Sequence, residues 1–261
     1  MKSKINYLLL DLDGTLILGN RVLKGAVDFV SELIHHKKKF LILTNNSSRS
    51  SKEYLKFMRT KGFPVELKHI FTSGKATCLF LKEKNIKDAY ILGTPGVIRE
   101  FASYGVTFNP ESANLVVTFD TSLNYRKLEV ATKILLKGKG IFVATHPDNV
   151  CPVEDGFIPD VGAFLALLRE ATGRVPDAIP GKPNEYFFQK AMEMMNAKKE
   201  ETAIVGDRIT TDIKTGRDFG ITSILLLTGE TRQEDLDVAP VKPDLVFRDL
   251  TEFMASLWGE L

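Results

Sequence analysis

An α/β fold on a parallel sheet is what this sequence predicts, and three observations carry the prediction. Short apolar runs without polar alternation recur along the chain, as expected of strands covered on both faces. Amphipathic stretches at helical spacing separate them. Acids, amides and hydroxyls gather where runs end and helices begin.

In chain order, strands are expected at 5–10, 40–43, 89–92, 115–119, 141–144, 203–205 and 223–227. Each is brief and rich in Leu, Ile, Val or Phe. Helices are expected at 25–36, 50–62, 75–84, 125–137, 162–171, 185–196 and 210–219. Between 161 and 168 the residues Phe164, Leu165, Leu167 and Leu168 fall at helical spacing and read as core. The basic clusters 35–39 and 198–199 stand where helices end, where cations complement the helix dipole.

Composition narrows the function classes. The chain has 261 residues, with 35 Lys plus Arg against 33 Asp plus Glu, a net charge of +2. That balance points to neither nucleic acid nor an anionic membrane as partner. Two cysteines, Cys78 and Cys151, lack metal-ligand spacing and read as reduced thiols. Residues 1–6 carry two lysines, but Asp11 and Asp13 interrupt any apolar run after them. The expectation is therefore a cytoplasmic protein with neither leader nor membrane span.

The first run ends in Asp11-Leu12-Asp13-Gly14-Thr15. Ligands of open α/β sheets bind beyond the carboxyl ends of strands, and two carboxylates two residues apart there can face one crevice. An Asx turn would use Asp-Gly equally well. The second run ends in Thr44-Asn45-Asn46-Ser47-Ser48, an oxyanion-binding composition of which a helix N-cap would need only one residue. A third end carries Gly206-Asp207-Arg208, with Asp212 opening the next helix, and Gly181-Lys182-Pro183 presents a lysine from a turn.

Each signal is weak alone, but together they place acids, a hydroxyl and a lysine at junctions of one sheet type. Two carboxylates about 4 Å apart repel by roughly 4 kcal/mol at an effective dielectric of 20. Asp11, Asp13 and Asp207 together would cost on the order of 10 kcal/mol, comparable to the stability of a domain. The cluster therefore calls for a cation or for shifted protonation. Hard oxygen donors without His or Cys favour Mg2+ over zinc.

The order DLDGT, TNNSS, GKPN, GDRITTD resembles the haloacid dehalogenase superfamily along the whole chain. The NagD-like, 4-nitrophenylphosphatase branch is the closer likeness, through Ala144-Thr145-His146-Pro147-Asp148, Ala171-Thr172-Gly173-Arg174 and Leu227-Thr228-Gly229-Glu230-Thr231. The resemblance implies a phosphatase of small phosphomonoesters. Asp11 would be the nucleophile that becomes an aspartyl-phosphate, and Asp13 the acid and then base. Thr44 and the N–H of Asn45 would hold phosphoryl oxygens, with Asn46 in the same donor loop. Lys182 would neutralise charge. Mg2+ would sit on Asp11, Asp207 and the carbonyl of Asp13, with Gly206 and Asp212 in support.

The same resemblance implies a Rossmann-like core, 1–84 with 176–261, and an inserted α/β cap over 85–175. Loops 146–149 and 159–162 of the cap, with His146 and Asp160, would read the leaving group. Relatives often carry a glycine where this chain has Asp160, which bears on substrate rather than chemistry. A homodimer through the cap is also implied. A phosphotransferase or mutase with the same site, and a phosphoryl-accepting regulatory protein, remain the alternatives. Asp13, an acid that would keep the phosphoenzyme short-lived, speaks against the regulatory one.

Overall fold

The structure is a computed structural model that describes residues 5–153 and 155–259; residues 1–4 of the amino-terminal stretch read above lie outside them. Its contacts divide into two compact units. The first takes the chain up to Thr44, Leu55–Phe71, and everything from Gln189 on. The second takes Asn45–Tyr54 and Thr72–Phe188.

The six-stranded sheet runs Leu245–Phe247, Thr222–Leu226, Thr202–Gly206, Tyr7–Asp11, Lys39–Thr44, Ile70–Thr72. Tyr7–Asp11 lies at its centre, pairing in parallel with Thr202–Gly206 on one side and Lys39–Thr44 on the other. Leu8, Leu9 and Leu10 are all buried although successive residues point to opposite faces, so both faces of this strand are covered. That explains the unbroken apolar runs. The helix Ala26–His35 buries Ala26, Phe29, Val30 and Leu33, and the Phe29 ring meets Phe253 of the helix Leu250–Trp258 at 5.3 Å.

The second unit is built on a four-stranded sheet ordered Thr107–Phe108, Asp88–Leu92, Leu115–Val117, Phe142–Ala144, parallel throughout. Helices Tyr125–Lys137 and Val161–Thr172 pack with it around Leu92, Leu115, Val117, Phe142 and Leu168. The α/β class with helix-covered parallel sheets is confirmed.

Particular boundaries differ for local reasons. The strand expected at 115–119 stops at Val117; both the N–H and the hydroxyl of Thr118 donate to the Leu92 carbonyl. The helix expected at 210–219 opens as a wide π turn, Ile209–Ile213, before Lys214–Phe219 becomes α-helical. Leu167 is 46% exposed while Leu168 is fully buried, since neighbours on a helix lie about 100° apart. Apolar periodicity did not reveal the helix Pro95–Ser103, the hairpin Val150–Val153 with Gly156–Pro159, or Leu250–Trp258. No helix among the described residues is long and apolar enough to cross a membrane.

Candidate active site

In the first unit the central strand delivers Asp11 at its carboxyl end, 6% exposed. The next strand delivers Thr44, and Thr202–Gly206 delivers Asp207 one residue beyond its end. Parallel register brings these ends to one edge of the sheet, since Asp11 lies opposite Leu43 and Leu10 opposite Val205. The Thr44 hydroxyl donates to Asp13 Oδ2 at 3.2 Å. Carboxylate oxygens of Asp11, Asp207 and Asp212 lie within 4.8 Å of one another, and all three residues are buried. Asp212, expected as support, thus belongs to the same cluster as Asp11 and Asp207.

Backbone geometry makes room for this cluster. Gly14 sits at φ +90°, which side chains rarely adopt, and a Cβ there would collide with the Asp207 carboxylate. Asp207 Oδ2 accepts the Glu230 N–H at 2.6 Å, and the Arg208 N–H donates to Asp212 Oδ2 at 3.3 Å. The Thr228 hydroxyl donates to the Gly14 carbonyl at 2.6 Å. The LTGET segment is therefore a wall of this site, a role its sequence did not disclose. Buried carboxylates of this number, all oxygen donors without His or Cys, fit a hard divalent cation.

The second unit holds the other predicted residues. Asn45 Oδ1 accepts the Lys182 N–H at 2.9 Å, and Asn45 Nδ2 donates to the Lys182 carbonyl at 3.0 Å. Gly181 permits this approach: its N–H donates to the Thr145 carbonyl at 2.9 Å, and a Cβ would collide with that oxygen. Lys182 is 5% exposed. Asn46 folds back locally, its Oδ1 accepting the N–H and hydroxyl of Ser48. The Ser47 hydroxyl accepts the Phe119 N–H at 2.8 Å and shares a hydrogen bond with Thr145, so this serine is structural.

His146 and Asp160 are both buried, with His146 Nε2 3.0 Å from Asp160 Oδ1. The same Asp160 oxygen accepts the Val161 N–H at 2.6 Å and caps the helix Val161–Thr172. The geometry gives both residues the task of shaping loops. Asp148 was singled out by sequence only as part of a loop; its Oδ2 accepts from Asn45 Nδ2 at 2.9 Å.

The chain as a whole matches known proteins closely. A family model described as haloacid dehalogenase-like hydrolase matches residues 8–107, and a second model of such hydrolases matches 179–253. An acid sugar phosphatase of Staphylococcus haemolyticus is 33% identical over 260 residues, covering 98% of each chain. The chain belongs to the haloacid dehalogenase-like hydrolases. Ribonucleotide monophosphatase NagD of Escherichia coli is 31% identical over 249 residues, covering 95% of this chain and 98% of its own. The crystal structure of a 4-nitrophenylphosphatase from Thermotoga maritima superposes with a TM-score of 0.91 at 40% identity, covering 97% of both chains. This haloacid dehalogenase-like hydrolase thus stands in the NagD-like branch, as the motifs predicted, and is a phosphoric monoester hydrolase.

Proposed function

We propose that this chain hydrolyses small phosphomonoesters with Mg2+ by way of an aspartyl-phosphate on Asp11. One observation carries the reading: Asp13, two residues beyond the end of the central strand, takes a hydrogen bond from Thr44, while Asp11 clusters with Asp207 and Asp212. Two carboxylates of one strand end are thereby set in different surroundings, as a nucleophile and a proton carrier require.

In the first step an Asp11 carboxylate oxygen bonds to phosphorus as the ester P–O bond breaks, and Asp13 gives its proton to the leaving alkoxide. In the second, Asp13 takes a proton from water, the water oxygen attacks phosphorus, and the P–O bond to Asp11 breaks to release inorganic phosphate. The N–H of Asn45, and the Thr44 hydroxyl once it turns from Asp13, hold phosphoryl oxygens, and Lys182 offsets their charge. Bound on Asp11, Asp207 and the Asp13 carbonyl, with Asp212 beside them, Mg2+ would supply further positive charge to the transferring group.

The division into core, 1–84 with 176–261, and cap, 85–175, belongs to the same proposal. All strands of the six-stranded sheet come from the former and all of the four-stranded sheet from the latter. Loops 146–149 and 159–162, shaped by His146 and Asp160, would read the leaving group. Sugar phosphates, ribonucleotides and 4-nitrophenyl phosphate, named for the relatives, set the substrates to try, and the cytoplasm is the proposed location. The test is phosphate release from 4-nitrophenyl phosphate and a panel of metabolite phosphates, with Mg2+ or EDTA. Activity that needs the metal and is lost in Asp11→Asn supports the reading; activity that survives Asp11→Asn refutes the aspartyl-phosphate.

A further inference from the structure

We propose that Asp148 is a positioning residue for Lys182, acting through the carboxamide of Asn45. A primary carboxamide offers one acceptor oxygen and two N–H donors. In Asn45 the oxygen takes the Lys182 N–H at 2.9 Å, while the nitrogen gives to the Lys182 carbonyl at 3.0 Å and to Asp148 Oδ2 at 2.9 Å. The carboxamide therefore grips both backbone polar groups of one residue, and Asp148 holds it from behind. A flipped carboxamide would set N–H against N–H at Lys182 and turn its oxygen on the Asp148 carboxylate. As an ionised carboxylate only accepts, Asp148 locks the productive orientation with a charge-assisted bond.

Asp148 is itself held by its backbone. The Gly162 N–H donates to the Asp148 carbonyl at 2.7 Å, and the Asp160 N–H donates to the Asn149 carbonyl at 3.0 Å. His146, at the head of the same loop, is tied to Asp160. The loop is thus pinned at three points to the start of the helix Val161–Thr172, and presents its carboxylate to Asn45 as a fixed acceptor. Without that acceptor the second N–H of a 9% exposed Asn45 loses its partner, and the carboxamide turns to find another. Lys182 then leaves the backbone from a less defined position. The loop lies in the proposed cap, so a cap residue sets the charge-bearing lysine through the Asn45 carboxamide. The catalytic consequence rests on the phosphatase reading; the positional one does not.

Asp148→Ala and Asp148→Asn, each checked for folding by circular dichroism, test the idea, with Asp148→Ser replacing an alanine variant that does not fold. With 4-nitrophenyl phosphate, Asp148→Ala should lower kcat about 10-fold and leave KM within about 2-fold. Asp148→Asn, whose Oδ1 still accepts, should recover most of the loss. In a Lys182→Met background, followed in single turnover with enzyme in excess, Asp148→Ala should add less than about 2-fold. Exchange of the Lys182 amide hydrogen, read by mass spectrometry, should be faster in Asp148→Ala than in the unaltered protein. Losses that multiply across the two backgrounds, a rise in KM at constant kcat, or unchanged amide exchange would each overturn the proposal. If the unaltered protein turns over no phosphomonoester, the phosphatase reading falls, and amide exchange alone still decides whether Asp148 positions Lys182.

Discussion

The Thr44 hydroxyl donates to the Asp13 carboxylate at 3.2 Å, joining the ends of two segments 31 residues apart in sequence. Thr44 closes the strand beside the central one, so parallel pairing puts its side chain at the edge where Asp11 ends. A hydrogen bond from a short, half-rigid side chain orients a carboxylate without adding charge, which suits the proton-carrying role proposed for Asp13.

Removing that donor should therefore slow the chemistry more than it weakens binding. For Thr44→Val a fall in kcat of about 10² is expected, at the lower end of what a placed acid–base group contributes. Thr44→Ser should lose much less. Steady-state kinetics of both variants with one phosphomonoester checks this, and an unchanged kcat in Thr44→Val would refute it.

Asp212 joins Asp11 and Asp207 at distances that allow one cation to feel all three. Asp212→Asn is expected to raise the Mg2+ concentration for half-maximal activity by about 10-fold or more, the usual cost of losing an outer partner of a metal site. Titration of activity against Mg2+ decides. An unchanged curve would show that Asp212 takes no part in holding the metal.

Glu100 supplies a pH-dependent prediction away from the site. Burial pushes its carboxyl pKa up, opposed by hydrogen bonds from Ser51 and by the charge of Lys75. The Ser51 N–H donates to Glu100 Oε1 at 3.0 Å. A raised folded pKa means that the folded state holds the proton more tightly than the unfolded chain. Stability from this group is then complete below about pH 4.5, its unfolded value, and is lost as pH rises through the folded value. Glu100→Gln keeps an oxygen for Ser51 and removes the charge. Its Tm should exceed that of the unaltered protein at pH 8, and the gap should close near pH 4. A Glu100→Gln variant less stable at pH 8 would count against this account.

Cys78 and Cys151 should differ in reactivity. Cys78 is fully buried and burial raises its thiol pKa well above the ordinary value, so it is held as the unreactive thiol. Cys151 is partly exposed. Titration of the native protein with a thiol reagent at pH 8 should label Cys151 first, and Cys78 only on denaturation. Rapid labelling of both in the native protein would contradict this.

The acid pair Asp11 and Asp13 was legible because two carboxylates stand where an apolar run ends, although an Asx turn would use Asp-Gly as well. The class of fold was legible from the runs themselves: unbroken Leu and Ile runs admit few arrangements other than strands covered on both faces. Elements whose apolar residues are few or half-exposed escaped, such as the hairpin Val150–Val153 with Gly156–Pro159, where Phe157 is 72% exposed. The role of Asp148 escaped too, since spacing along the chain does not show that a loop carboxylate meets an amide 103 residues away.

By itself, then, the sequence determined that the candidate residues Asp11, Thr44 and Asp207 stand at strand ends, through local hydrophobic period and motif order. Only the tertiary structure decided which groups meet: Thr44 with Asp13, Asp212 with Asp11 and Asp207, and the Asn45 carboxamide with the Lys182 backbone and the Asp148 carboxylate. The reason is physical. Periodicity records which face of an element is buried, whereas hydrogen-bond partners depend on parallel register and on backbone approaches, such as those at Gly14 and Gly181, that bring remote segments within 3 Å of one another.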